Sequence, residues 1–322
     1  MSIAILKELK KDSEMMRSVY CATLMEMAEK DDRVVVLDAD LMKSMGMIPF
    51  LNKYPQRTFN CGVQEANMIG VAAGLSATGK IPFVHTFGPF ATRRCFDQVF
   101  ISAAYAKLNV RITGSDPGIT AAYNGGTHMP FEDMGLMRNV PGITLLEPAD
   151  SVMLKDVLKK IKDMYGVFYV RLLRKEPVRI YQEGSTFEIG KGIVLRDGTD
   201  VTVIASGIMV SEALEAADIL QTKGISAKIV NIFTWKPIDT ELILKCAEET
   251  GAVVTVENHS IINGLGSAVA EVLAEGFPVP LERIGSRDRF GEVGSVDYLK
   301  KTFEMTAADI AKRAALAVQK KL

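Results

Sequence analysis

Residues 61–86 read C-G-V-Q-E-A-N-M-I-G-V-A-A-G-L-S-A-T-G-K-I-P-F-V-H-T. From Glu65 the run is small and apolar, with Gly70, Ala72, Ala73 and Gly74 and no further charge before Lys80, which predicts a helix that another backbone approaches closely. After Gly79 the texture changes, and residues 82–86 read as a short strand. Strand-like runs rich in β-branched residues also fall at 34–37, 110–113, 144–146 and 167–171, separated by longer amphipathic stretches. Alternation of this kind builds β-α-β units around a parallel sheet, so the fold class is α/β.

Farther along, residues 175–199 carry Pro177, Gly184, Gly190, Gly192 and Gly198 among scattered charges, which reads as a linker into a second domain. The division falls near residue 185, giving domains 1–185 and 186–322. The second is a smaller α/β unit: strands at 201–205, 227–231 and 252–256, and helices over 210–223, from Asp239 and from Leu265. Thr306 and Asp309 have capping-box spacing at the start of a closing helix that runs through Val318.

A chain of 322 residues, 48% hydrophobic and 24% charged with mean hydropathy +0.14, has ample material for two buried cores. Thirty-eight basic and 39 acidic residues are interspersed to a net charge of −1, so there is no footprint for a nucleic-acid partner. The first residues lack the apolar core of a signal peptide, and no run reaches the roughly 18 apolar residues of a membrane span. A soluble, cytoplasmic protein with no membrane partner is expected. Cys21, Cys61, Cys95 and Cys246 form no C-x-x-C pair, which leaves zinc and dithiol chemistry without support.

Three segments carry candidate chemistry. Glu65, a lone acid at the start of its helix, either compensates the helix dipole or, desolvated at a close contact, shares a proton. Phe87 and Phe90, three residues apart after a strand, present one aromatic face, either to the core or to a planar heterocycle. Residues 114–133 form a polar, Gly-rich loop after the strand at 110–113, where α/β proteins place their sites, and it contains His128, one of three histidines. Gly264-Leu265-Gly266 lacks the third glycine of a dinucleotide fingerprint, Val269 standing there instead.

In order along the chain, D-A-D-L-M-K-S (38–44), C-G-V-Q-E-A-N-M (61–68), H-T-F-x-x-F (85–90), G-G-T-H-M-P-F-E-D (125–133) and L-x-P-A-D (146–150) resemble the pyrimidine-binding domain of transketolase. T-V-E-N-H-S-I-I-N-G-L-G-S-A-V-A-E (255–271) and I-G-S-R-D-R-F-G-E-V-G-S (284–295) resemble that family's C-terminal domain. The chain has no G-D-G followed by an Asn pair, the pattern with which the family's pyrophosphate domain holds magnesium and diphosphate. It therefore resembles the C-terminal chain of a two-gene transketolase. The resemblance implies thiamine diphosphate as cofactor, Mg2+ held mainly by an N-terminal partner subunit, no metal ligand on this chain, and a dimer of heterodimers.

Residue by residue, the resemblance implies that Glu65 bonds the aminopyrimidine ring nitrogen and that Phe87 and Phe90 pack on the ring. By the same resemblance Asp40 matches an aspartate near the cofactor, and Arg93 stands where the family often has a tyrosine wall. Arg17 and Arg174, with Ser44 nearby, match the anion-binding residues, and His128 matches the histidine that contacts the donor sugar. Two donor contacts depart from the family: Asp116 stands near a usual histidine and Asn124 replaces a usual aspartate. The resemblance implies transfer of a two-carbon ketol unit from a ketose phosphate to an aldose phosphate, and these departures point from xylulose 5-phosphate toward a modified ketose such as apulose 4-phosphate or 6-deoxy-6-sulfofructose as donor. Competing readings are the β chain of a 2-oxo acid dehydrogenase E1 component and a non-catalytic stabilising subunit.

Overall fold

A computed structural model describes residues 3–321. The chain opens on the lysine-rich strand β1 (Ile5–Lys11) and the helix Met16–Lys30. The predicted alternation follows as β2 (Val34–Asp38), β3 (Thr58–Asn60), β4 (Ile81–Phe87), β5 (Val110–Ser115), β6 (Thr144–Leu146) and β7 (Val167–Leu172). These six pair in parallel. β2, β5 and β7 are buried at every position, because helices cover both faces of a parallel sheet and both residue parities meet apolar neighbours. The small-residue helix runs Glu65–Ala77; its Met68, Ile69, Ala72 and Ala73 are buried while Gly70 and Gly74 face outward.

The stretch expected to be a linker contains two more strands, β8 (Val178–Tyr181) and β9 (Ile193–Arg196). β8 pairs antiparallel with β1, and the Asp150 carboxylate fastens it by accepting the N–H groups of Ile180 and Tyr181 at 2.9 and 2.8 Å. Between the two strands Phe187 is fully buried against Tyr181 and Phe233, so this crossing is part of the core.

The second half contributes β10 (Val201–Ala205), β11 (Ala227–Asn231), β12 (Thr234–Lys236), β13 (Val253–Ser260) and β14 (Leu281–Ser286). Its five-stranded sheet has the order β14-β13-β10-β11-β9, with β9 antiparallel at one edge. β12 leaves that sheet and lies antiparallel on β6, extending the first sheet to the seven-strand order β12-β6-β7-β5-β4-β2-β3. The two halves therefore share hydrogen bonds as well as an apolar core.

Helix limits lie close to expectation. The helices after β10 and β12 span Met209–Gln221 and Thr240–Thr250, the latter capped by Asp239. The closing helix, Ala307–Gln319, has both capping-box bonds between Thr306 and Asp309. Among the described residues no helix is long and apolar enough to cross a membrane.

Candidate active site

Parallel strands end on one edge of their sheet, and the loops there gather side chains from distant parts of the sequence. Asp40 follows β2, Glu65 follows β3, Phe87 ends β4, Asp116 follows β5 and Arg174 lies just past β7. Three non-glycine residues at this edge hold left-handed backbone: Asp40 (φ 64), Asp116 (φ 58) and Ala122 (φ 48). Short Asp side chains tolerate that region better than β-branched ones, and such strain persists only where surrounding structure enforces it.

Glu65 is 1% exposed although it carries a carboxylate. Arg94 compensates it: Nη1 donates to both carboxylate oxygens at 2.9 Å, and the guanidinium carbon lies 4.0 Å from the Phe90 ring centroid. Phe87 and Phe90 meet with centroids 6.0 Å apart, and the half-buried His128 ring is set edgewise against both at 5.6 and 5.1 Å. On the other side of Phe87 lies the Arg174 guanidinium, 4.8 Å from the ring centroid.

Arg174 marks the cationic end. Its Nε stands 2.6 Å from the Asp116 carboxylate as an ion pair, and Arg17 and Arg174 both donate to the Ser44 backbone carbonyl, at 2.9 and 3.3 Å. It is thus the main chain of Ser44 that joins the two arginines. Burial raises the Asp116 carboxyl above its ordinary pKa, and the Arg174 charge opposes that rise.

Arg17, Ser44, Arg174, Asp116, Phe87, His128, Phe90 and Glu65 therefore form one continuous strip. Three expected residues stand beside it. Asp40 is exposed and exchanges bonds with Asn60, Asn124 is exposed at the end of a 3₁₀ turn, and Arg93 pairs with Glu132 at 2.8 Å while donating to the Thr127 carbonyl. The guanidinium between Glu65 and Phe90 belongs to Arg94, a residue the sequence reading passed over; the only signal for it was the Arg-Arg doublet.

The loop bearing Asp116, Asn124 and His128 is held by the second half of the chain. Asn258 brackets its start, accepting from Ile119 N at 2.9 Å and donating to the Pro117 carbonyl at 2.7 Å. Gly118 (φ +46) has to be glycine, since a Cβ there would meet Asn258 Oδ1 at 2.1 Å. Arg171, fully buried, spans the junction. It bonds both oxygens of Asp133 at 2.9 Å, Glu147 at 2.7 Å, and the carbonyls of Pro130 and Asn258. Burial alone would raise the Asp133 pKa, but the Arg171 charge and hydrogen bonds outweigh it and hold the carboxyl below its usual range. His259, also buried, accepts from Gly135 N at 3.2 Å and lies 2.7 Å from its neighbour's carbonyl, that of Ser260. That pattern suits the neutral ring, and burial followed by the Arg171 charge pushes its pKa down to about 4.

This geometry coincides with family patterns over almost the whole chain. Residues 13–177 match the transketolase pyrimidine-binding domain and residues 190–310 match the transketolase C-terminal domain. The chain belongs to the transketolase family. It is 53% identical over 314 residues to the 6-deoxy-6-sulfo-D-fructose transketolase subunit SqwH of Clostridium sp. (strain MSTE9), covering 98% of each chain. It is 36% identical over 273 residues to a subunit of the apulose-4-phosphate transketolase of Phocaeicola vulgatus, covering 84% of this chain and 87% of that one. Among solved structures, a split gene transketolase described as an inactive β4 tetramer superposes with a TM-score of 0.90 at 42% identity, over 96% of this chain and 99% of that one. This transketolase chain is thus a subunit of the split form and a transferase of ketol groups, in a family that works with thiamine diphosphate.

Proposed function

We propose that this transketolase subunit holds the pyrimidine end of thiamine diphosphate and the anionic end of a sulfonated ketose, and acts with a second chain that carries the diphosphate and Mg2+ site. One observation carries the reading: an unbroken strip runs from the buried carboxylate of Glu65, across Phe90, His128 and Phe87, to the guanidinium pair of Arg174 and Arg17. The aminopyrimidine fits its first part. A planar cationic group already lies there, stacked on Phe90 with its edge on both oxygens of Glu65, so ring face and carboxylate match a flat heterocycle with an edge nitrogen.

When bound, thiamine diphosphate supplies the thiazolium carbon at which ketol groups are taken up and released. Glu65 shares a proton with the pyrimidine ring nitrogen, and its burial keeps that exchange away from bulk water. Phe87 and Phe90 fix the plane of the ring and exclude water from one face. His128, wedged on both rings, reaches toward the donor hydroxyls, while Arg17 and Arg174 anchor its anionic terminus, guanidinium groups being suited to oxyanions.

Likeness to a chain named for 6-deoxy-6-sulfo-D-fructose, at 53% identity, supports that ketose as donor; an aldose phosphate is the proposed acceptor. We assign the pyrimidine-binding unit to residues 1–185 and the C-terminal unit to 186–322, the assembly to a dimer of heterodimers, and the location to the cytoplasm, in keeping with four free cysteines.

The test is ketol transfer by the purified chain mixed with its pyrophosphate-domain partner, thiamine diphosphate and Mg2+. We expect turnover only in the mixture, with 6-deoxy-6-sulfofructose ahead of xylulose 5-phosphate and apulose 4-phosphate. A mixture preferring xylulose 5-phosphate would refute the donor assignment, and one inactive with every ketose would refute the enzymatic role.

A further inference from the structure

We infer that His85 is a positioning residue for the anion site: buried beneath the strip, it ties the helix that bears Arg17 and the segment that presents Ser44 to one rung of the sheet. The inference rests on the reading above, in which Arg17 and Arg174 seat the anionic end of the sugar.

β2, β4 and β5 are in register at this level, so Asp38, His85 and Thr113 occupy adjacent positions on one rung and project from the same face of the sheet. All three are fully buried, and two residues further along Phe87 and Ser115 form the next rung on that face. His85 Nε2 stands 2.9 Å from Asp38 Oδ2, and among the described residues no lysine or arginine pairs with that carboxylate. The approach is close but poorly aligned, and the Tyr20 and Thr113 hydroxyls and His85 Nδ1 also lack aligned hydrogen-bond partners. Buried polar groups left in that state cost stability that apolar residues of the same size would not, so their presence calls for a reason other than packing.

The surroundings of the rung supply one. Asp38 Oδ1 accepts from the N–H groups of Leu41 and Met42 at 2.5 and 3.1 Å, and further bonds from Met45 N to the Leu41 carbonyl and from Met47 N to the Met42 carbonyl fold residues 41–47 into a compact turn. The Ser44 carbonyl that receives Arg17 and Arg174 lies in that turn, and Gly46 packs against the Arg17 side chain. On its other side the His85 ring meets Tyr20 edge to face, with centroids 5.9 Å apart, and Tyr20 lies one turn along its helix from Arg17. His85 thus touches both carriers of the arginine pair, whereas Glu65 and Phe90 are engaged by Arg94. Removing its hold on Asp38 loosens the anion end of the site and spares the carboxylate end.

Two amide substitutions separate this role from packing. His85→Gln places its amide nitrogen near the ring's Nε2 and keeps the approach to Asp38, whereas His85→Asn places it near Nδ1 and loses that approach. In the reconstituted two-chain enzyme, with the ketose it turns over best and an aldose phosphate, His85→Asn raises KM for both sugars on the order of 10-fold, the weight of one polar contact to a charged group. Its kcat and its KM for thiamine diphosphate stay within about threefold of wild type, and His85→Gln returns the sugar KM values to within about threefold. Equal effects in the two variants, unchanged KM in His85→Asn, or a loss confined to kcat overturns the inference and leaves His85 a packing residue. Should His85→Asn not fold, Asp38→Ser gives the test from the other partner, since it keeps a capping oxygen for Leu41 and Met42 but cannot reach His85. The same rise in KM is expected, and unchanged KM overturns the inference. Should the wild-type mixture turn over no ketose, the enzymatic reading fails, and the positioning is decided on the free chain by amide hydrogen exchange. Residues 41–46 then exchange about 10-fold faster in His85→Asn than in wild type or His85→Gln, as loss of one such contact implies; equal exchange in all three overturns it.

Discussion

Replacing Arg171 by methionine tests the idea that one buried guanidinium holds the two halves of this subunit together and, with them, the loop that bears Asp116 and His128. The side chain is fully buried and donates to Asp133 twice at 2.9 Å, to Glu147 at 2.7 Å, and to the carbonyls of Pro130 and Asn258 at 3.2 and 3.1 Å. Methionine fills much of the volume but leaves two buried carboxylates facing each other without a counter-charge. Breaking a buried ion pair on one side costs about 3–5 kcal/mol, which for a chain of this size lowers the melting temperature by about 4–7 °C. The pH dependence distinguishes this cause from a packing defect. In the wild type the Asp133 pKa is held down by Arg171, so that carboxylate contributes stability above its unfolded value and loses it as pH falls. Without Arg171, the effect of burial in raising the Asp133 carboxyl is no longer opposed by that charge, and the folded state recovers stability as the group protonates. Urea unfolding at pH 8 and pH 5 should therefore show a deficit that narrows on acidification, and Arg171→Met combined with Asp133→Asn and Glu147→Gln should regain most of the loss. A deficit below about 1 kcal/mol, or one that does not change with pH, would refute the argument.

His259→Gln should change the pH response in a related way. The folded pKa is about 4 against an ordinary 6.5, so the unfolded chain takes up the proton first and the wild type loses up to about 3 kcal/mol between those values, whereas the variant does not. Urea midpoints at pH 7.5 and 4.5 measure it, and an advantage of wild type over variant that stays constant would disprove it. Glu65→Gln in the assembled enzyme should lower turnover on the order of 10²- to 10³-fold, the usual weight of a positioned proton-sharing group; near-normal turnover would point to a stabilising chain. Arg94→Ala should tighten thiamine diphosphate about 5- to 20-fold, because the cofactor then displaces no guanidinium from Glu65 and Phe90; weaker binding in the variant would mean that Arg94 assists the ring.

The parallel strands were legible because burial on both faces writes continuous β-branched runs into the sequence, as in Val34–Asp38 and Val167–Leu172. β1, β3, β12 and β14 left no such mark. β1 is half exposed and lysine-rich, β3 and β12 are three residues each, and β14 mixes Glu and Arg into its pattern. β12 is also fixed by a partner from the other half of the chain, β6, and a pairing between residues so far apart has no local signature. The linker-like stretch misleads for a related reason. Its glycines and charges resemble a loop, yet β8 is secured by the distant Asp150 carboxylate and Phe187 by aromatic rings on either side of it.

In the site, a three-residue step from Phe87 to Phe90 leads to Arg93, and that step holds only while the helix continues. The helix Gly88–Thr92 gives way to a 3₁₀ turn at Arg93–Cys95, with Thr92 at φ −120 and ψ −74. The break turns Arg93 toward Glu132 and brings Arg94 over Phe90 onto Glu65. A side chain that stacks on Phe90 and satisfies the buried carboxylate, in the place proposed for the cofactor ring, has a physical consequence for the free subunit. Glu65 never stands as an isolated buried charge in the free subunit, which would cost several kcal/mol, yet Arg94 is 45% exposed and can leave for solvent with little penalty. In the free chain the Glu65 carboxylate is therefore compensated by the chain's own guanidinium, and a ring binding as proposed above would displace only a weak, half-solvated contact.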